Sequence, residues 1–99
     1  NAVTLATEDS NGFFVDLEPA TAAVVITLGG SPPSGYYVAS IRVQQDGATA
    51  QTISFAGGVI LDAGGTPHPV TTTLDGITIY TVETWDGGTT WHISGVDYS

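Results

Sequence analysis

The sequence predicts an all-β fold, namely a single antiparallel β-sandwich or jelly-roll-like domain of about seven to nine short strands. Three observations predict it. Apolar residues never recur with the i, i+3, i+4, i+7 spacing of a helix over a dozen residues. Runs rich in Thr and Val have the composition of strands. Glycines, 13 in all, separate those runs, often next to Asp or Asn. A small, partly open barrel is the alternative.

The first third of the chain contains three predicted strands. Residues 3–6 alternate weakly between apolar and polar and end at a turn, where Asn11 and Gly12 are the strongest signal. Residues 13–17 (FFVDL) place their odd-numbered apolar side chains on one face. Residues 21–28 (TAAVVITL) are apolar on both faces, which is typical of a strand buried from two sides.

The middle of the chain contains the clearest amphipathic strand, residues 36–45 (YYVASIRVQQ). Its predicted core face holds Tyr37, Ala39, Ile41 and Val43. Its opposite face holds Val38, Ser40, Arg42 and Gln44. Asp46 and Gly47 predict a hairpin into residues 49–55, a strand that Gly57 and Gly58 interrupt before residues 59–61 resume it.

The last third of the chain contains two predicted hairpins. Asp75 and Gly76 form the first turn, between the short run 71–74 and a long strand, residues 77–85. Asp86-Gly87-Gly88 then turns that strand into the last one, residues 89–96. No linker, charge block or repeat divides the chain, so we expect one domain over 1–99, with 1–8 as an N-terminal arm.

The charge balance excludes two classes of partner. The chain has 10 acidic residues and a single basic one, Arg42, for a formal net charge of −9. One cation cannot neutralise a run of phosphates, so we expect no nucleic acid as a partner. The same argument excludes attraction to an anionic membrane surface. The chain has no cysteine, so it forms neither a disulfide nor a thiolate metal site.

No constellation of residues predicts catalysis. Four of the acidic residues, Asp9, Asp46, Asp75 and Asp86, lie beside or near glycine, as turn residues do, and lack the spacing of a calcium loop. The two histidines have no nucleophile or metal partner in a known motif. We therefore expect no enzyme, no catalytic residue, no metal and no cofactor.

The aromatic residues have two interpretations. Trp85 and Trp91 flank the DGGTT turn and are expected to pack as a cross-strand pair. The alternative is a glycan-binding platform formed by Trp85, Trp91 and Tyr80. Tyr36 and Tyr37 begin one strand, so one is expected in the core and the other exposed, where it is available for a subunit contact.

The second half of the chain carries a recognisable order of elements. A strand ends in Gln45-Asp46-Gly47, and residues 52–55 (TISF) follow. A GGTP loop at 64–67 and the segment DGGTTW at 86–91 complete the pattern. The sequence of residues 36–95, about 60% of the chain, resembles a small β-domain of tailed-bacteriophage virion surface proteins. The sequence departs from that pattern after TISF, where relatives often carry Trp-Pro.

The resemblance implies a structural or attachment role on the virion exterior, often as a trimer. The expected function is a non-enzymatic capsid decoration protein that binds the major capsid protein or another virion protein and stabilises the head. The alternatives are a tail-fibre or receptor-binding domain that contacts host surface glycan, or a carbohydrate-binding module.

Weakly charged strand faces favour burial against another copy, so we expect a homotrimer. The expected oligomer contacts are Tyr36, Val38 and Arg42. The expected capsid-contacting arm is Asn1, Ala2, Val3, Thr4 and Leu5, because an edge strand adds readily to a neighbouring sheet.

Overall fold

The structure, a computed structural model, describes residues 2–7, 9–18, 20–30, 35–65 and 68–98. These residues form eight strands and no helix. The strands are β1 (Ala2–Ala6), β2 (Gly12–Asp16), β3 (Val24–Gly29), β4 (Tyr37–Gln44), β5 (Ile53–Ala56), β6 (Val59–Asp62), β7 (Ile77–Thr84) and β8 (Thr90–Tyr98). The all-β prediction is therefore confirmed.

The strands form two sheets, as expected for a sandwich. One sheet has three strands in the order β1-β3-β5, and the other has five in the order β2-β4-β7-β8-β6. Along the chain, the first six strands alternate between the two sheets. β6, β7 and β8 then follow one another in the five-stranded sheet, where β7 and β8 are also hydrogen-bonded neighbours.

Four of the six strand pairs are parallel, three of them because of this alternation, and this differs from the antiparallel pairing that the turns predicted. A chain that crosses to the other sheet and back returns in its original direction, so β1, β3 and β5 pair in parallel. The pair β2–β4 is parallel for the same reason, whereas β6 and β8 are parallel because the chain reverses at each end of β7 within their own sheet. Only β7 pairs antiparallel, with β4 on one side and β8 on the other.

One of the three predicted hairpins is present. Asp86 and the glycines after it join β7 to β8, and its carboxylate accepts hydrogen bonds from Thr90 N (2.8 Å) and Thr84 Oγ1 (3.0 Å). The turn at Asp46 and Gly47 instead leads from β4 to the other sheet. The turn at Asp75, whose φ is 61°, packs beside Gly47. The described residues directly before it, 68–74, form no strand, so it is not a hairpin.

The core lies between the sheets and has the residues that strand alternation predicts. Tyr37, Ala39, Ile41 and Val43 are all buried along β4. Fully buried side chains from the other strands and the segment after β2 meet them, including those of Leu17, Ile26, Tyr80, Val82, Trp91 and Ile93.

The run at 21–28 is not buried from two sides, so this part of the sequence prediction is wrong. Its strand, β3, is the middle one of the three-stranded sheet and faces the core with Val24, Ile26 and Leu28. Val25 points the other way and is 39% exposed. Apolar residues on both faces gave the same sequence pattern that two-sided burial would give.

Candidate interaction face

The outer face of the five-stranded sheet is the candidate functional site. It consists of the outward-pointing side chains of β2, β4, β7, β8 and β6, together with Tyr36 and Trp85, which extend the β4–β7 pairing by one step. We call it the outer face. The strand registers place its side chains in rows, and one row crosses the sheet through Ser40, Thr81 and Ser94.

Exposed apolar side chains are concentrated on the outer face. Among the described residues, ten large apolar side chains are exposed, and all but Val25 and Leu74 lie here. These eight are Phe14, Tyr36, Val38, Val59, Leu61, Trp85, Val96 and Tyr98. Apolar exposure gathered on one flat surface is a sign of an interaction site, whereas scattered exposure is ordinary.

The outer face is also poor in charge, although the chain is strongly acidic. Within the described part of the chain, Asp16 and Glu83 are its only acidic side chains, and it holds the single arginine, Arg42. The other described carboxylates lie in turns, at strand ends or on inward-facing positions. The surface that is easiest to desolvate is therefore the one with the most exposed apolar area.

An aromatic pair stands at one end of the outer face. The rings of Tyr36 and Trp85 have centroids 4.3 Å apart and are tilted by 48°. The Tyr36 hydroxyl donates a hydrogen bond to Glu83 Oε2 at 2.9 Å, and this bond raises the pKa of Tyr36 above its usual value. Trp85 remains 64% exposed, so one large aromatic surface faces solvent beside a carboxylate.

Arg42 lies near the other end of the same face. Its guanidinium carbon is 5.3 Å from the centre of the Phe14 ring on the neighbouring strand, which is a cation–π contact. Within the described residues the guanidinium makes no ion pair. The positive charge is therefore held at a defined place on the face, and no carboxylate of the described residues neutralises it.

The prediction that Trp91 and Tyr80 belong to a glycan platform is wrong. Trp91 is 1% exposed and Tyr80 is 0% exposed, because both point into the core from β8 and β7. The Tyr80 hydroxyl donates to His68 O at 2.7 Å, and burial raises the pKa of Tyr80 well above its usual value. Of the three predicted platform residues, only Trp85 is accessible to a ligand.

The expected cross-strand pair of Trp85 and Trp91 is also wrong. The two side chains point to opposite faces of the sheet, and each has another aromatic partner. Trp91 packs edge-to-face on Tyr37, with centroids 6.0 Å apart, while Trp85 packs on Tyr36. The two tyrosines divide as expected, with Tyr37 8% and Tyr36 44% exposed.

Most of the predicted N-terminal arm lies in a sheet. Ala2, Val3, Thr4 and Leu5 belong to β1, an edge strand that pairs with β3, and Asn1 lies outside the described residues. Leu5 is 5% exposed and part of the core. Among the described strands, one side of β1 has no partner, so an edge remains for a neighbouring chain to join.

The contacts of His68 and Asp97 hold neighbouring parts of the fold together, and those residues show no grouping for chemistry. His68 packs against Tyr80 and lies with Nε2 3.0 Å from Asp97 Oδ1, which also accepts a hydrogen bond from Thr78 Oγ1 at 2.8 Å. His92 is exposed on the outer face in register with Glu83. Among the residues that the structure describes, no three His, Cys, Asp or Glu side chains are grouped as metal ligands.

Comparison with known proteins adds no relative to these observations. No family model, curated protein or solved structure matches the chain significantly. In the described ranges, no helix has the length and apolar character needed to cross a bilayer.

Sequence reasoning found part of the outer face. It named Tyr36, Val38 and Arg42 as oligomer contacts and Trp85 as part of a glycan platform, and all four side chains lie on the outer face. It missed the residues that other strands bring, chiefly Phe14, Leu61, Val96 and Tyr98. Alternation within each strand shows which of these side chains point away from the core. Only the pairing of distant strands shows that they share one surface.

Proposed function

We propose that this chain is a non-enzymatic structural protein of the exterior of a tailed-bacteriophage virion, and that it acts as a capsid decoration module. The observation that carries the proposal is the outer face, which collects eight exposed apolar side chains on an acidic chain. Such a surface favours protein contact over catalysis. The resemblance of residues 36–95 to virion surface domains supplies the viral context.

The acidic charge supports a place outside the shell. A formal net charge of −9 is repelled by packaged DNA, so the exterior is the favourable side for this chain. In this proposal, copies contact one another through the outer face and bridge neighbouring capsid proteins through the free edge of β1. Binding to the assembled shell, but not to its unfolded subunits, stabilises the shell by mass action. Assembly as a homotrimer stays a prediction.

A binding assay with heads that lack their decoration protein tests the function. We expect the chain to co-sediment with assembled heads and to raise the temperature at which they release DNA. Unassembled capsid subunits, used as the control, should bind much less. Absence of binding to heads together with binding to tail fibres would overturn the decoration role.

The exposed pair of Tyr36 and Trp85 favours a second candidate, a receptor-binding domain for host surface glycan. Trp85 offers an aromatic face, and Glu83 is a hydrogen-bond acceptor beside it. Titration with host polysaccharide should then quench the fluorescence of exposed Trp85, and Trp85→Ala should abolish the response. Buried Trp91 provides the internal reference, since a ligand at this site would leave its emission unchanged.

A further inference from the structure

The outer face has a small polar middle row between two rows of opposite charge character. Ser40, Thr81 and Ser94 form that row, and all three side chains are small and polar. Two residues further along the strands in one direction lies a row that contains Arg42, Ile79 and Val96. Two residues in the other direction lies a row that contains Val38, Glu83 and His92, with Leu61 beside it on β6.

From this pattern we propose that two copies of the chain pair face to face through the outer face, about a twofold axis that follows the row of Ser40, Thr81 and Ser94. Such an axis lies in the plane of the interface and reverses the strand direction of the second copy. The Arg42 row of each copy then lies over the Glu83 row of the other. Contacts of this kind are isologous, so each favourable contact occurs twice.

Charge complementarity supports a second copy as the partner and supports this position of the twofold axis. The rotation places each strand over the same strand of the second copy. Arg42 therefore lies over Val38 of the second copy, and the cross-strand neighbour of that Val38 is Glu83. Sheets packed face to face are about 10 Å apart, which two long charged side chains can bridge. An axis along β7 would instead set Glu83 opposite Glu83 of the second copy, with a repulsive result.

Both charged side chains are already held on the face. Arg42 is stacked over Phe14 at 5.3 Å, and Glu83 accepts a hydrogen bond from Tyr36 at 2.9 Å. The Glu83 bond uses Oε2, so Oε1 can accept from a guanidinium. Side chains that are ordered before association lose less conformational entropy when they pair.

The apolar residues are distributed in the same complementary way. One outer row brings Phe14, Ile79 and Val96. In the pair, Ile79 and Val96 lie directly over Glu83 and His92 of the second copy, and the apolar side chains that they can contact there, Val38 and Leu61, are one strand to the side. At the ends, the aromatic pair would lie over the row that contains Ile77 and Tyr98. Small side chains in the middle row let the two sheets approach closely.

The area of the face is sufficient for a weak specific dimer. The five strands have 4 to 9 residues. At about 3.3 Å per residue and about 4.8 Å between strands, they cover roughly 540 Å² per copy, or about 1,100 Å² for both. That total is at the lower limit for specific protein interfaces. We therefore expect pairing that depends on protein concentration.

This inference does not depend on the virion role, and it differs from the homotrimer that the sequence suggests. In a closed threefold ring each copy uses two different patches, whereas a self-complementary face is saturated by one partner. Pairs leave the free edge of β1 available for another protein.

A charge exchange tests the pairing. Arg42→Glu and Glu83→Arg should each weaken self-association by at least about tenfold, measured by sedimentation equilibrium, because each sets like charges opposite one another. The double variant Arg42→Glu/Glu83→Arg restores opposite charges in the twofold arrangement and keeps the formal net charge of −9. We expect it to associate within about threefold of the unmodified chain.

Matched valine variants locate the interface. Val96→Thr, on the outer face, should weaken association, while Val25→Thr, exposed on the opposite sheet, should leave it unchanged. A mass near twice the 10.1 kDa of one chain supports the pair. A monomer at high concentration, a trimer, or no recovery in the double variant would each overturn it. Binding to heads is measured separately, so the pair can fail while the proposed function stands.

Discussion

Gln45 is a buried polar residue whose side chain joins three segments of the chain. It is 1% exposed and lies directly after β4, where the chain leaves its sheet. Its Nε2 donates to Gln51 O (2.9 Å) and Thr71 O (2.8 Å). Its Oε1 accepts from Asp46 N (2.9 Å) and Gln51 N (2.8 Å). The amide therefore satisfies four backbone groups that the crossing segments leave without strand partners.

Replacing this amide by an apolar side chain of similar size should be costly. We expect Gln45→Leu to lower the free energy of unfolding by about 3 kcal/mol, because four backbone groups lose their partner. Gln44→Leu, the neighbouring position on the outer face, is the control and should change it by no more than about 0.5 kcal/mol. Urea unfolding measures both. A loss below about 1 kcal/mol for Gln45→Leu would show that water replaces the amide.

Two exposed carboxylates give the fold an acid dependence. Hydrogen bonds from His68 and Thr78 lower the pKa of Asp97 below its usual value of 3.8. For Asp86, the backbone hydrogen bond from Thr90 is the largest cause of a lowered pKa. A carboxyl whose pKa is lower in the folded state stabilises the fold above its unfolded pKa. That contribution is lost as the pH falls through 3.8 towards the folded value.

The acid dependence can be measured residue by residue. We expect the urea midpoint to fall as the pH is lowered from about 5 to about 2.5. Asp97→Asn and Asp86→Asn should each flatten this decrease, since an amide does not titrate. A slope that is identical in both variants and the unmodified chain would contradict the assignment.

At the scale of elements, the shortest crossing between the sheets depends on two glycines. Gly57 and Gly58 join β5 at the edge of one sheet to β6 at the edge of the other, with φ values of 108° and 140°. A Cβ on Gly57 would lie 2.5 Å from Leu28 O, and one on Gly58 would lie 2.7 Å from Thr89 O. Both the backbone conformation and the close approach require glycine.

Alanine at this crossing should therefore destabilise the sandwich. We expect Gly57→Ala to lower the free energy of unfolding by about 2–4 kcal/mol, because neither neighbouring backbone can move without breaking strand pairing. Gly64→Ala is the matched control, since nothing lies within 4 Å of its Cβ and its φ is not positive. Thermal unfolding followed by circular dichroism compares them. Equal melting temperatures would contradict a required glycine corner.

At the scale of the whole molecule, charge and apolar exposure are separated. The outer face carries most of the exposed apolar side chains and few charges, while most described carboxylates lie elsewhere. Two copies brought together combine formal charges of −9 each, so long-range repulsion opposes the contact that the outer face favours.

Salt should therefore strengthen self-association. Raising the ionic strength from about 10 mM to about 150 mM shortens the Debye length from about 30 Å to about 8 Å, which screens the repulsion between the copies. Sedimentation equilibrium should show a larger association constant at the higher salt. The variant Asp9→Asn/Glu18→Gln removes two charges outside the outer face and should show a weaker salt dependence. Association that falls steadily with salt would mean that the Arg42 and Glu83 contacts dominate.

The sequence predicts local features well and strand pairing poorly. Alternation along β4 identifies its buried and exposed residues, and Asp86-Gly87-Gly88 identifies the hairpin between β7 and β8. Similar turn chemistry at Asp46 and Gly47 instead directs the chain into the other sheet. A turn signal specifies a local reversal of direction, but the sheet that the next strand joins depends on contacts distant in sequence.

The sequence by itself determined the all-β class, the acidic charge and the direction in which most strand side chains point, because composition and a period of two are local properties. The tertiary structure decided which strands are neighbours. It thereby buried Trp91 and Tyr80, left Trp85 exposed, and brought Phe14, Leu61 and Val96 onto one surface. The outer face is a property of that long-range pairing, which forms when the apolar faces of distant strands are removed from water together.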